Sequence, residues 1–151
     1  MKDAPIKNPG ELVARLELDR PERLLVIDAP EPLSDLLRRA RSEPLLTREI
    51  TGDAIRAVKE TYHAIFVWRE DRAGSRAVFD GAVKRLEPGG VVWAVTAMRK
   101  VRGPTTPAVH RLELSDLVKG LGKAGLVHDR EVRVSAWHVA YRFRKTGAGS
   151  R

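Results

Sequence analysis

Runs of consecutive apolar residues alternate along this chain with segments whose apolar residues recur every three or four positions. The runs predict strands buried on both faces over 24–28, 64–68 and 91–97. A weaker strand is predicted over 45–50, because Thr47, Arg48 and Glu49 interrupt its apolar pattern. The helical spacing predicts helices over 33–41, 54–58, 75–86 and 115–125, the last of which also counts Leu126 on its apolar face.

Local signals mark where these elements begin and end. Pro32 suits the first turn of a helix, and Ser75 and Ser115 are predicted N-caps. The turn Pro88-Gly89-Gly90 is expected to end the third helix before its strand starts. Apolar and polar residues alternate over 132–134 and 137–144, which predicts a closing antiparallel hairpin.

This order of elements predicts the fold class. Buried strands joined by helices favour a three-layer, Rossmann-like α/β fold with a mostly parallel sheet of about six strands and a C-terminal antiparallel hairpin. We expect residues 1–10 to form a flexible arm, 11–144 a single domain, and 145–151 a disordered basic tail.

Composition excludes several kinds of chemistry. The chain has no cysteine, so disulfides, thiolate nucleophiles and cysteine-ligated zinc are absent. Its four histidines lie far apart in sequence, and no metal site is expected. Neither a secretory signal nor a membrane-spanning run is visible, so we expect a soluble cytoplasmic protein without a membrane partner.

A net charge of +8 draws attention to phosphate-bearing partners. Most basic residues are scattered, and those at 38, 39 and 41 are expected on the solvent face of their helix. One long basic loop stands out as a candidate phosphate or nucleic-acid site. Its candidate residues are Arg99, Lys100, Arg102, Thr105, His110 and Arg111.

The run Leu86-Glu87-Pro88-Gly89-Gly90-Val91-Val92-Trp93 resembles the turn into the fifth strand of class I S-adenosylmethionine-dependent methyltransferases. The segment from Leu117 to Gly125, followed by two strands, is similar to that family's last helix and hairpin. The resemblance covers about residues 24–144. Trp68-Arg69-Glu70-Asp71 brings the chain closer still to uncharacterised bacterial proteins with a degenerate form of this fold.

The resemblance implies a glycine-rich cofactor loop after the first strand. The chain has Asp28-Ala29-Pro30-Glu31-Pro32 there, with no glycine, two prolines and an acidic side chain. It also implies an acidic ribose ligand at the end of the second strand, where Glu49 stands. The segment between Ile50 and Ala64 is short, so one family strand and helix are expected to be missing.

Candidate site residues follow from where ligands bind in open α/β sheets, beyond the carboxyl ends of the strands. Glu70 and Asp71 are the candidate general bases. The candidate ligand-binding residues are Asp28, Glu31, Glu49, Trp68 and Arg69.

Three functions remain open at this point. The missing glycine loop favours a non-catalytic domain with no resident cofactor, which acts by binding an unknown protein or a second copy of itself. The first alternative is an enzyme that uses S-adenosylmethionine or another nucleotide through a non-standard pocket. The second alternative is a nucleic-acid-binding module that uses the basic loop.

Overall fold

The computed structural model describes residues 9–41, 46–98 and 106–145. The helices are α1 (Pro9–Arg15), α2 (Glu31–Ala40), α3 (Ser75–Lys84) and α4 (Leu114–Gly122), with 3₁₀ helices over Gly52–Ala57 and Ala108–His110. The strands are β1 (Arg23–Ile27), β2 (Leu46–Ile50), β3 (Tyr62–Trp68), β4 (Leu86–Ala97), β5 (Leu126–Arg133) and β6 (His138–Lys145).

The strands form a six-stranded sheet in the order β2-β1-β3-β4-β6-β5. The first four strands in the chain run parallel, whereas β6 is antiparallel to both β4 and β5. This arrangement confirms the predicted mixed sheet and C-terminal hairpin. The 3₁₀ helix and its flanking turns connect β2 directly to β3. The described sheet therefore ends at β2, without the further strand and helix that the methyltransferase resemblance implies between β2 and β3.

Alternation along the strands sends apolar side chains to both faces and makes three layers. Leu25, Ile27 and Ile65 pack on one face against α3 and α4. Leu24, Val26 and Phe66 pack on the other face against α1 and α2. The runs that predicted β1, β3 and β4 are therefore continuous because both of their faces are covered.

Two predicted elements have a different form. The predicted second helix is a six-residue 3₁₀ helix, Gly52–Ala57, because its flanking residues Thr51 and Val58 are already extended. The Pro88-Gly89-Gly90 segment lies inside β4 and does not end α3. Gly89 has φ 80 there, and the pairing of β3 with β4 shifts register at this point.

The predicted serine caps are also wrong. Gly74, with φ 74, is the N-cap of α3, and the hydroxyl of Ser75 donates to the carbonyl of Arg72 at 2.7 Å. Glu113 is the N-cap of α4, and its N–H donates to the carboxylate of Asp116 at 2.9 Å. Downstream, α4 ends at Gly122, so Leu126 opens β5 and is not part of the helix.

Arg41 corrects the expectation that this run of arginines lies on a solvent face. Its side chain is buried at the amino end of the sheet. The guanidinium donates to the carbonyls of Leu18 at 3.0 Å and Leu46 at 2.7 Å, and also to the hydroxyl of Thr47. Burial lowers the pKa of Arg41, because desolvation disfavours the charged guanidinium. The hydrogen bonds to these acceptors offset that desolvation cost.

We predict that Arg41→Ala destabilises the fold by about 2–4 kcal/mol, because it leaves buried carbonyls at the start of β2 without donors. Arg39→Ala is the matched control. That side chain is 74% exposed and lies 3.9 Å from Asp35, so its loss is expected to change stability by less than about 0.5 kcal/mol. Urea unfolding measures both variants, and equal effects would contradict the account of Arg41.

Candidate functional site

The loops at the carboxyl ends of β1, β2, β3 and β4 meet at one edge of the sheet, because these strands are parallel. We call this the carboxyl edge. The strand order reverses there, since β1 has β2 on one side and β3 on the other. Ligands of open α/β folds bind at such a reversal.

The corner after β1, residues 28–32, is held by its own hydrogen bonds. Asp28 has φ 59, a left-handed conformation that aspartate tolerates better than most residues. Its N–H donates to the carbonyl of Ile50 at 3.0 Å, and its carboxylate accepts the N–H of Gly52 at 3.0 Å. Asp28 therefore fastens the corner to the end of β2.

The corner continues into α2 through two prolines. Pro30 is the N-cap, and Pro32 lies in the first turn, as the sequence predicts. The carbonyl of Pro30 accepts the N–H groups of Leu33 at 3.1 Å and Ser34 at 3.0 Å. Neither proline has an N–H of its own, so the corner offers few main-chain donors to a ligand.

Glu49, the residue implied as a ribose ligand, is paired with α2. Arg38 donates to both of its carboxylate oxygens, through Nε at 2.7 Å and Nη2 at 3.1 Å. Hydrogen bonding to Glu49 is the main reason why the pKa of Arg38 is raised. Glu31 is exposed at the start of the same helix. A cavity of about 290 Å³ lies between the corner and Glu49.

A second polar group at the carboxyl edge joins β3 to β6. His138 is 1% exposed, and its Nε2 lies 2.6 Å from a carboxylate oxygen of Glu70. Its Nδ1 lies 3.0 Å from the hydroxyl of Ser135. That hydroxyl also accepts the N–H groups of Trp137 and His138, each at 3.1 Å, so its proton points to Nδ1. The Nε2–H then donates to Glu70.

Electrostatics at this group keep Glu70 ionised. The hydrogen bond from His138 lowers the pKa of Glu70, with further donors from Thr106. Burial opposes this shift but is the smaller effect. Trp68 lies against His138 with ring centroids 4.7 Å apart. The indole of Trp68, a candidate ligand-binding residue, thus packs on a protein ring.

The charged loop after β3 folds back on itself. Asp71 accepts the N–H of Ala73 at 2.8 Å through its side chain, and it pairs with Arg111 in an isolated β-bridge. Arg69 donates to the carbonyls of Asp71, at 3.1 Å, and Ala73. Both side chains therefore shape the turn before α3.

The structure divides the predicted phosphate-binding loop. Arg111 is buried and donates to the carbonyls of Met98 at 2.7 Å and Thr106 at 2.8 Å, which does not fit a ligand-facing role. His110 is exposed at the end of a 3₁₀ helix. The remaining predicted residues lie outside the described part of the chain: Arg99, Lys100, Arg102 and Thr105.

Within residues 9–41, 46–98 and 106–145, no three histidine, aspartate or glutamate side chains come together as a metal site. No helix in these same ranges is long and apolar enough to cross a bilayer.

The sheet order, the parallel strands and the antiparallel hairpin define a class I methyltransferase-like fold, and solved structures agree. A SAM-dependent methyltransferase from Aquifex aeolicus has a TM-score of 0.68 at 12% identity, over 92% of this chain and 90% of its own. A putative sarcosine dimethylglycine methyltransferase from Galdieria sulphuraria has a TM-score of 0.67 at 14% identity, over 93% and 86%.

A magnesium protoporphyrin IX methyltransferase from Synechocystis, with bound SAH, has a TM-score of 0.62 at 12% identity, over 91% of this chain and 80% of its own. In sequence, neither a protein-family model nor a curated protein matches. Sequence identities this low establish the fold alone, and the same fold supports many functions.

Asp28, Glu49 and Glu70, which the sequence analysis names as candidates, lie at the carboxyl edge. Sequence reasoning missed His138, the partner of Glu70, and Ser135, the partner of His138. His138 begins a strand whose following apolar residues face the core, which indicates a buried histidine. Its contact with Glu70 depends on β6 lying beside β4, and no local pattern gives that pairing.

The pKa of Glu70 gives a testable pH dependence. A carboxyl whose folded pKa is lowered stabilises the fold above its unfolded pKa of about 4.3, and this contribution is lost as the pH falls through the lower folded value. We expect the stability advantage of the wild type over Glu70→Gln to hold from about pH 5.5 to 4.5 and to shrink below about pH 4.

Urea unfolding of both proteins across this range measures that difference. An advantage that stays constant down to pH 3 would show that the carboxylate of Glu70 contributes nothing through its charge.

Proposed function

We propose that this chain is a cytoplasmic, degenerate methyltransferase-like domain that has no methyl-transfer activity and acts by binding a protein partner. The observation that carries this proposal is the state of the corner after β1. Both carboxylates beside it are already occupied, Asp28 by Gly52 and Glu49 by Arg38. A nucleoside seated there would have to displace the chain's own donors.

Steric features support the same reading. The corner is built from Asp28-Ala29-Pro30-Glu31-Pro32, in which no residue lacks a Cβ. The adjoining cavity, at about 290 Å³, is at or below the lower end of small-molecule sites, which span about 300–1,000 Å³. Gly52 offers no further space, because a Cβ at that position would lie 3.0 Å from both Asp28 and Val78.

Glu70, one of the two candidate general bases, also already has hydrogen-bond donors within the chain. The carboxylate of Glu70 accepts from His138 and Thr106, and only 16% of its side chain is exposed. A base must reach the proton it removes, within about 3 Å or through one water molecule. The pairing of Glu70 with His138 supports a role in joining β3 to β6.

A second candidate function is an S-adenosylmethionine-dependent enzyme whose pocket opens when Arg38 leaves Glu49. The observation that favours it is the position of Glu49 at the end of β2, beside the corner cavity. Arg38 is half exposed, and surface pairs of this kind contribute only about 0–1 kcal/mol. The pair alone would not keep a tightly bound cofactor out, so the steric features of the corner decide between the two candidates.

Thermal unfolding with millimolar S-adenosylmethionine or S-adenosylhomocysteine tests the proposal. A ligand present at about 100 times its dissociation constant adds about 2.7 kcal/mol, or several degrees for a domain of this size. We expect a shift below about 1 °C for the wild type. We expect the same for Arg38→Ala, because removing Arg38 frees Glu49 without opening the corner.

Arg39→Ala is the matched control, since it removes a neighbouring exposed arginine and leaves Glu49 paired. A shift of several degrees in the wild type would overturn the proposal. A shift confined to Arg38→Ala would favour the second candidate.

A further inference from the structure

A cavity of about 510 Å³ lies between α3 and α4, and one end of it reaches the loops after β3 and β4 through Arg72 and Leu112. Its inner wall is apolar and is formed by Phe79, Leu112, Leu117 and Leu121. We call it the α3/α4 groove. It shares no lining residue with the corner cavity beside Glu49. The α3/α4 groove and the corner cavity are therefore two separate cavities.

The rim of the groove is cationic. Four basic side chains line it, Arg72, Arg76, Lys119 and Lys123, against two acidic ones, Asp80 and Asp116. Arg72 and Asp116 neutralise each other at 3.2 Å, and Arg76 only reaches Asp80 at 4.0 Å. Lys119 and Lys123 are exposed and have no carboxylate within ion-pair distance among the described residues. The rim therefore has unmatched positive charge.

The dimensions suit a helix. The lining residues of α4 and of the turn that follows it run from Asp116 to Ala124. At about 1.5 Å per residue this span is about 12 Å, or a little over two helical turns. A parallel or antiparallel helix of this length presents apolar side chains at i, i+3 or i+4, and i+7 to such a groove. An overall charge of +8 disfavours a second copy of this chain as the occupant.

We propose that the α3/α4 groove binds an amphipathic helix of a partner protein, whose apolar face enters the groove and whose acidic flanks meet Lys119, Lys123 and Arg76. This inference rests on the proposed function as a partner-binding domain and names the chemistry of that partner. The apolar wall supplies affinity, and the unmatched cations select acidic sequences over basic ones.

Gly120 provides a precise way to block the groove. It is exposed on α4 and lines the groove, and a Cβ added there would meet nothing within 4 Å. Gly120→Leu should therefore fold normally and fill the groove. Gly122→Leu is the matched control, because Gly122 lies in the same helix with equally open space but does not line the groove.

The experiment selects peptides from a random 16-residue library displayed on phage, with the full chain as bait. The enriched peptides are then synthesised with a fluorescent label, and their affinities are measured by anisotropy. We expect sequences with apolar residues at helical spacing flanked by Asp or Glu. We expect Gly120→Leu and the double variant Lys119→Glu/Lys123→Glu to weaken binding at least about tenfold, and Gly122→Leu to change it less than about twofold.

Several results would overturn the inference. These are enrichment of basic peptides or of none, equal binding to the Gly120 and Gly122 variants, and no effect of the charge reversal. Concentration-dependent dimerisation that Gly120→Leu abolishes would assign the groove to a second copy. Competition by an oligonucleotide at the groove would assign it to nucleic acid. None of these readouts depends on S-adenosylmethionine, whose binding is tested separately at the corner.

Discussion

Asp28 holds the first corner of the sheet in place, and much of the carboxyl edge depends on it. Its left-handed conformation turns the chain out of β1, and its two bonds to Ile50 and Gly52 fix the end of β2 beside that turn. The direction of α2 follows, since the helix begins three residues later. That direction brings Arg38 onto Glu49. One aspartate in an uncommon conformation thus fixes the geometry of the corner after β1.

A second set of hydrogen bonds joins the parallel strands to the C-terminal hairpin. Glu70, just after β3, contacts His138 at the start of β6, across the end of β4. Ser135 completes this group from the hairpin turn and fixes which ring nitrogen carries the proton. Arg111 binds the loop that leads into α4 by a similar use of buried charge. These ionisable side chains at the carboxyl edge therefore connect elements of the fold.

The sequence predicted the architecture well where elements are buried on both faces. The runs of β1, β3 and β4 are long, apolar and bounded by turns, so their existence and parallel order follow from pattern alone. Helix starts were harder to predict, because Gly74 and Glu113 occupy the N-cap positions that were assigned to Ser75 and Ser115. Arg41 was predicted to lie on the solvent face of its helix because it belongs to the same run of arginines as Arg38 and Arg39. Contacts such as Glu70 with His138 depend on strand order, which a local pattern does not encode.

We propose that the chain's own hydrogen bonds at the corner after β1 keep a nucleoside out. A ¹H–¹⁵N NMR titration with S-adenosylhomocysteine tests this most directly, because the amide of Gly52 reports its hydrogen bond to Asp28. We predict that the amide resonances of Asp28, Glu49 and Gly52 stay unchanged at millimolar S-adenosylhomocysteine. Saturable shifts centred on those three residues would show that a nucleoside enters the corner, and would contradict the account.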